Sequence, residues 1–91
     1  MTVLFEKTVE IVNQRGLHAR ASAKFVRLVE QHQADVTVTK DDISVSGASI
    51  MGLLMLSASL HTQIRIAVRG QEAAAVLKEL TDLVGRKFDE E

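Results

Sequence analysis

The chain has 91 residues, 46% of them hydrophobic and 25% charged, and its formal net charge is -1. This length supports a single domain, residues 1–91, with one modest core and no deep cleft between subdomains. Eleven basic against twelve acidic residues give no overall positive field that would attract nucleic acid, and the absence of cysteine excludes disulfides, thiolate metal sites and thiol nucleophiles. We therefore expect a globular domain whose function lies on its surface.

The N-terminal part of the chain predicts a strand, a loop and a helix. The strand ends near Val12 and has one buried face, because apolar residues occur at alternate positions, namely Val3, Phe5, Val9 and Ile11. Residues 13–16 form a loop. From Ala21 onward, apolar residues recur at helical spacing, which is typical of a helix that ends near Gln33.

The rest of the chain predicts a hairpin, a short helix, a fourth strand and a last helix. Alternating apolar residues on both sides of the turn at Asp41-Asp42 indicate the hairpin. Ser49 can cap a short apolar helix over residues 50–56. Alternation over residues 64–68 predicts the fourth strand, and an apolar stripe over residues 73–84 predicts the last helix, with Gly85 as its C-terminal glycine.

The predicted order βαββαβα defines an α+β fold of two layers. Three amphipathic helices have one sheet to pack against, so we expect a four-stranded antiparallel sheet covered on one face by three helices. The other face is expected to be open to solvent. An antiparallel sheet tolerates this, and it suits the Thr and Ser residues at alternate strand positions.

The loop before the first helix holds the main candidate residue, His18, between Gly16 and Arg20. The first N–H groups of a helix have no partner within the helix and carry partial positive charge, so they favour a phosphoryl group. A neutral imidazole nitrogen is a nucleophile near pH 7, and the N–P bond that it forms is labile enough for onward transfer. Arg20 can donate to phosphoryl oxygens, and Gly16 lets the loop approach closely.

Basic residues continue along the first helix. Arg20, Lys24 and Arg27 recur at spacings of four and three, so they share one face on which an acidic partner could dock. The alternative is a histidine that only caps a helix beside a solvated basic face, and residue spacing alone favours that alternative. His32 and His61 have no accompanying motif, and we predict neither a metal site nor a cofactor.

Two segments resemble the HPr family, the histidine-containing phosphocarriers of the bacterial phosphotransferase system. The run NQRGLHAR, residues 13–20, is similar to the family's active-site segment, and SIMG, residues 49–52, is similar to its regulatory-serine region. The predicted element order is also that of the family's open-faced β-sandwich. Residues 1–3 and 85–91 look more like the nitrogen-related branch, NPr, than the sugar-dedicated branch.

The resemblance implies a carrier that is itself the substrate of other enzymes and is not a turnover enzyme. An Enzyme I-type donor, charged by phosphoenolpyruvate, would phosphorylate Nδ1 of His18, and an EIIA-type protein would accept the group. The implied phosphoryl contacts are Gly16, Ala19 and Arg20. The implied apolar docking residues are Ile50, Met51 and Leu54, which add to the basic face of Arg20, Lys24 and Arg27.

The short helix over residues 50–56 carries six large apolar residues in seven positions, so some must stay outside the core. We expect Leu53 and Leu56 to be buried, and exposed apolar area of the kind that is left often marks an interface. Ser49 has two interpretations of equal weight. It caps this helix, or an HPr kinase/phosphorylase modifies it and places a dianion beside the docking residues.

Ala21 departs from the family pattern, which usually has proline there, and we expect a looser helix start without that rigid residue. The N-terminus lacks signal-peptide features, and no apolar stretch approaches the ~20 residues that span a bilayer. We therefore expect a cytoplasmic protein without membrane insertion. A monomer is the default, and weak self-association through the apolar helix stays open.

Three other functions compete with the carrier. A docking module of the same fold would leave His18 unused. A nucleic-acid-binding domain is disfavoured because three Phe and no Tyr or Trp cannot build a stacking surface. A self-contained hydrolase or kinase is disfavoured because the local motif offers no carboxylate to orient His18, and the chain has no P-loop glycine run.

Overall fold

The computed structural model describes residues 4–90. In this range the chain forms the elements β1 (Leu4–Glu10), α1 (Ala19–Glu30), β2 (Asp35–Lys40), β3 (Ile43–Ser46), α2 (Ile50–Met55), β4 (Gln63–Arg69) and α3 (Ala73–Gly85). The predicted order βαββαβα is confirmed. Val3, which was predicted to belong to the first strand, lies outside the described residues.

The four strands form one antiparallel sheet in the order β1-β4-β2-β3. The last strand in sequence, β4, lies inside the sheet, where Val68 pairs with Phe5 of β1 on one side and with Val36 of β2 on the other. β3 completes the sheet by pairing with β2 in a hairpin. The predicted four-stranded antiparallel sheet is therefore confirmed, and its two edges are β1 and β3.

The two faces of the sheet differ in polarity, as β4 illustrates. Ile64, Ile66 and Val68 are buried under the helices, whereas Arg65 and Arg69 on the opposite face are exposed. Alternation along a strand produces this division, because successive side chains point to opposite faces. The prediction of one helix-covered face and one open face is confirmed.

The buried face of β1 was predicted incorrectly at Phe5, which is 41% exposed. Its pairing with Val68 places Phe5 on the helix-covered side, but β1 is an edge strand with a neighbouring strand on one side only. Lys7, two residues on and on the same side, is also exposed. A lysine on an edge strand discourages pairing with another chain.

Two element ends also differ from the predictions. β1 ends at Glu10 rather than near Val12, and α1 ends at Glu30 rather than near Gln33. After its end, the N–H groups of Gln31 and His32 donate to the carbonyls of Leu28 and Val29 at 3.2 and 3.1 Å, and these bonds close the last turn. None of the helices within residues 4–90 is long and apolar enough to cross a bilayer.

The chain reversal after α3 does not occur at the predicted glycine. Gly85 is the last residue of α3, and the left-handed conformation is instead adopted by a tight turn, Lys87–Asp89, with φ values of 61°, 55° and 60°. Such φ values are unfavourable for residues other than glycine, so the surrounding structure must stabilise the turn. Phe88, at its centre, is fully buried in the core, and Lys24 Nζ donates to the Phe88 carbonyl at 2.6 Å.

His32 joins the end of α1 to α3. Its Nδ1 lies 2.9 Å from Glu72 Oε1 and its Nε2 lies 3.2 Å from Glu79 Oε2. His61 makes a separate contact with Glu10 at 2.8 Å. Among residues 4–90, no group of three or more His, Asp or Glu side chains is arranged to hold a metal ion. Both histidines thus contact carboxylates within the fold.

The burial of Phe88 predicts a large stability loss on its truncation. Phe88→Ala should lower the free energy of unfolding by about 3–5 kcal/mol, because it leaves a cavity in the core. Phe5→Ala is the matched control, and its loss should be about 1–2 kcal/mol because that ring is partly in water already. Urea unfolding followed by circular dichroism measures both. Equal losses for the two variants would show that the tail does not anchor the domain.

Candidate functional site

The turn before α1 requires glycine at position 16. Gly16 has φ +65°, and a Cβ atom there would lie 2.4 Å from the carbonyl oxygen of Ala58. The next N–H, that of Leu17, donates to the same oxygen at 2.8 Å. Close backbone approach and a left-handed φ both exclude other residues. This contact fixes the direction in which the chain enters the helix.

His18 is the N-cap of α1, with extended backbone angles and a side chain that folds back over the helix start. Its Nδ1 accepts a hydrogen bond from the backbone N–H of Arg20 at 3.2 Å. Buried Ser22 holds the backbone, since its N–H donates to the His18 carbonyl at 2.8 Å and its Oγ donates to the Leu17 carbonyl at 3.1 Å. The ring is therefore placed directly beside the free N–H groups of the helix.

A carboxylate from the other end of the chain lies on the second ring nitrogen. Glu90 Oε2 contacts His18 Nε2, although 72 residues separate them in sequence. Glu90 Oε1 accepts from Asn13 Nδ2 at 3.0 Å, and the same Nδ2 donates to the Gly16 carbonyl at 2.8 Å. Asn13 is fully buried, whereas the His18 and Glu90 side chains keep 16% and 18% of their surface exposed.

The pKa of the Glu90 carboxyl is lowered by its surroundings. Partial burial opposes ionisation, but hydrogen bonds from His18 and Asn13 and the electrostatic influence of His18 and Arg15 outweigh it. The pKa therefore lies below 4.5, and the carboxylate form is favoured at neutral pH. The His18 ring thus faces a negative charge on one side and a helix N-terminus on the other.

A shallow cleft surrounds the ring, and its lining is mostly charged: Gln14, Arg15, His18, Arg20, Lys24, Asp89 and Glu90. The predicted basic residues do share a face of α1. Arg20 and Lys24 line this cleft, and Lys24 and Arg27 line an adjoining groove with Arg86. A basic strip therefore begins at His18 and continues along the helix, where it could steer an anionic partner.

The α2 helix presents the predicted apolar patch. Ser49 is its N-cap, with Oγ accepting from the Gly52 N–H at 2.9 Å. Ile50 is 39% exposed, Met51 and Met55 are each 69% exposed, and Leu54 is half-buried. Met55 was not among the predicted docking residues, although its exposure equals that of Met51.

The buried side of α2 is as predicted, with Leu53 and Leu56 in the core. Six apolar residues in seven positions cannot all face one core, so the exposed ones form a patch that water covers in the free protein.

All the roles that the sequence assigns to these site residues stay predictions, including the phosphoryl contacts and the looser helix start. The N–H of Gly16 donates to the Asn13 carbonyl at 3.2 Å, so glycine shapes the loop, and its contact with a phosphoryl group is not tested. The same holds for Ala19. Ala21 is fully buried within a regular helix start, and the looseness expected from the missing proline is likewise untested.

Sequence reasoning missed the roles of Asn13 and Glu90. One signal was available: Phe88 is an isolated large apolar residue in an otherwise charged C-terminal segment. Such a residue indicates that the segment is anchored to the core and does not trail into solvent. Where the anchored tail would lie could not be read from local patterns.

Comparison with known proteins agrees with the site geometry. The family model described as "PTS HPr component phosphorylation site" matches residues 5–86. The phosphocarrier protein HPr of Neisseria meningitidis serogroup A is 44% identical over 96% of this chain and 98% of its own length. The phosphocarrier protein NPr of Shewanella violacea is 40% identical, with 93% of each chain covered.

The fold is also that of solved carriers. HPr-C-His from Thermoanaerobacter tengcongensis superposes with a TM-score of 0.91 and 37% identity, covering 96% of this chain and 98% of that one. HPr from Bacillus anthracis gives a TM-score of 0.83 at 32% identity, covering 87% of this chain and 94% of that one. At these identities, the similarity extends beyond the fold to the sequence.

The lowered pKa of Glu90 predicts a pH-dependent contribution to stability. A carboxyl whose pKa is lower in the folded state stabilises the fold fully above its ordinary pKa, here 4.5, and this contribution is lost as the pH falls through the lower folded value. Carbon NMR of the Glu90 side-chain carboxyl should give a midpoint below 4.5. Asn13→Ala removes one donor and should raise that midpoint. A wild-type midpoint at or above 4.5 would contradict the contact.

Proposed function

The chain belongs to the HPr family, the phosphocarrier proteins of the phosphotransferase system, and we propose that His18 is the residue that carries its phosphoryl group. The observation that carries this proposal is the position of the His18 imidazole as the N-cap of α1, with Nδ1 3.2 Å from the Arg20 N–H. A nucleophilic nitrogen lies there beside N–H groups that have no acceptor within the helix, which is what a relay of phosphoryl groups requires.

The transfer step follows from this arrangement. The lone pair of Nδ1 attacks the phosphorus of the donor, and the bond between phosphorus and the donor atom breaks with its electrons. Once Nδ1 is bonded to phosphorus it no longer accepts from Arg20, so that N–H is free to donate to a phosphoryl oxygen. The positive end of the α1 dipole favours the same negative charge.

Side chains around the ring can also stabilise the negative charge of the phosphoryl group. Arg20 is exposed and lines the cleft, so its guanidinium can reach phosphoryl oxygens that project from His18. Lys24 contributes positive charge on the same face. The cleft is shallow, and the donor or acceptor protein must therefore supply the remaining groups of the transition state and exclude water from it.

The proposed donor is an Enzyme I-type protein charged by phosphoenolpyruvate, and the proposed acceptor is an EIIA-type protein. Docking would use the apolar patch of Ile50, Met51, Leu54 and Met55, together with the basic strip of α1. Apolar area supplies affinity, whereas the basic residues steer an acidic partner. We propose that the protein works in the cytoplasm as a monomer.

The test is phosphorylation of the purified protein by an Enzyme I and phosphoenolpyruvate, followed by intact mass and acid treatment. The wild type should gain one acid-labile phosphoryl group, and His18→Ala should gain none, because the nucleophile is absent. His61→Ala is the matched control and should be modified like the wild type, since its side chain is 74% exposed and outside the cleft.

Two results would count against relay through His18. A phosphoryl adduct on His18→Ala would place the acceptor elsewhere in the chain. If several Enzyme I proteins, one from the same organism included, left the wild type unmodified, the protein would instead act as a docking module through α2.

We further propose that phosphorylation of Ser49 regulates docking. Ser49 caps α2 next to the exposed Ile50 and Met51, so a dianion there would be tolerated by the helix N-terminus but would lie at the edge of the apolar patch. The fold would stay intact and partner affinity would fall.

Ser49→Asp should reproduce that effect. Aspartate also caps helices, so the melting temperature should change little, whereas the charge should weaken binding to an EIIA-type partner by about 10-fold, or ~1.4 kcal/mol. Ser49→Asn is the matched control, because asparagine caps without charge. Titration calorimetry measures the affinities. Equal weakening by Asp and Asn would assign the loss to the cap and not to the charge.

A further inference from the structure

The two nitrogens of the His18 ring have different partners, and these partners define where the ring proton lies. A backbone N–H can only donate, so the bond from Arg20 at 3.2 Å requires a lone pair on Nδ1. A neutral imidazole then carries its proton on Nε2. That nitrogen contacts Glu90 Oε2, and a carboxylate can only accept. The contacts of the two nitrogens therefore specify the same tautomer.

Glu90 is held in place independently of His18. Its other oxygen accepts from Asn13 Nδ2, which also donates to the Gly16 carbonyl. Because Nδ2 lies between two oxygens, the orientation of the buried Asn13 amide is determined. The tail is anchored two residues earlier by the buried Phe88 ring. Asn13 thus aligns the carboxylate, and the carboxylate aligns the ring.

We propose that Glu90 is a positioning residue for phosphoryl transfer, which keeps the proton on Nε2 so that Nδ1 is the nucleophile, and that it stays bonded to the ring during transfer. This inference rests on the proposed role of His18. The C-terminal segment, which lies outside the sequence motif around His18, would then take part in the chemistry.

The proton balance explains why the carboxylate matters both when His18 accepts the phosphoryl group and when it passes the group on. When Nδ1 bonds to phosphorus and keeps Nε2–H, the ring becomes cationic, and Glu90 balances that charge. In onward transfer the P–Nδ1 bond breaks and its electron pair returns to Nδ1. The leaving group is then a neutral imidazole. Had Nε2 lost its proton, the leaving group would be an imidazolate anion, which leaves far less readily.

Other charged groups face the ring but do not replace Glu90. Arg15, Arg20 and Lys24 line the cleft and are cationic, so they cannot accept the Nε2 proton. Asp89 is the second carboxylate of the cleft, and its Oδ1 accepts from Arg86 Nε at 3.0 Å. Asp89 therefore provides a matched comparison, with the same charge in the same cleft and without the bond to His18.

The first test uses the free protein and does not depend on phosphorylation. Proteins labelled with ¹⁵N in histidine are compared as wild type, Glu90→Gln and Asp89→Asn. The Nε2–H of His18 should exchange with water about 10-fold faster in Glu90→Gln than in the wild type, because the carboxylate no longer holds it. Asp89→Asn should match the wild type. Equal exchange in all three proteins overturns the proposal.

The second test measures transfer from the phosphorylated donor. With the carrier as varied substrate, Glu90→Gln should lower kcat by about 10-fold and leave KM nearly unchanged, because the ring and not the docking surface is affected. The loss in onward transfer should grow as the pH rises, since the phosphorylated ring then loses Nε2–H more readily without the carboxylate. A change in KM alone, or equal rates for Glu90→Gln and Asp89→Asn, overturns the proposal.

The two proposals fail separately. If the wild type accepts no phosphoryl group, the carrier function fails, and the proton exchange of His18 still decides whether Glu90 holds Nε2–H. If the wild type is phosphorylated and Glu90→Gln behaves like Asp89→Asn, the carrier function stands and the positioning role is lost.

Discussion

The pairing of β4 with both β1 and β2 is the constraint on which the rest of the structure depends. This strand buries Ile64, Ile66 and Val68 on one side, so the helices must gather there to remove that surface from water. The other side carries Arg65 and Arg69 and needs no cover. A single layer of helices leaves the starts of α1 and α2 at the surface. Their caps, His18 and Ser49, are therefore accessible to other proteins.

The site needs few residues, because groups that shape the backbone also take part in the site. The Gly16 turn brings the loop against Ala58 and at the same time offers its carbonyl to Asn13. His18 completes the helix as its cap, and the same ring is the proposed carrier of the phosphoryl group. A 91-residue domain cannot enclose a substrate, so its chemistry depends on one well-oriented side chain and on unpaired backbone donors.

A phosphocarrier needs a P–N bond that survives while the protein diffuses from donor to acceptor and that still breaks readily on transfer. The positive helix start and the basic residues would favour a phosphoryl group on His18, whereas the carboxylate of Glu90 lies on the opposite side of the ring. In the proposed function, the apolar part of the docking surface lies on another helix, α2, whereas Arg20 and Lys24 of the basic strip border the His18 cleft. Substitutions in the apolar patch would therefore change partner affinity without altering the surroundings of His18.

Local sequence patterns determined most of the fold. Period-two alternation located the strands and helical spacing located the helices, because both follow from the geometry of the backbone alone. The same reasoning placed His18 at a helix start and chose Leu53 and Leu56 as the buried side of α2. It was wrong at Phe5 and Gly85. At Phe5, alternation predicts which face of the sheet a residue lies on but not whether its strand is at the sheet edge. At Gly85, a glycine at a helix end does not by itself decide where the chain reverses.

Only the tertiary structure decided what surrounds the His18 ring. The sequence identified the histidine, the glycine turn and the arginine, because all three lie within five consecutive residues. Asn13 and Glu90 could not be assigned in this way, since Glu90 reaches His18 across 72 residues after a reversal anchored by Phe88. That reversal depends on burial of an aromatic ring in a core formed by the whole chain, and no local pattern contains that information.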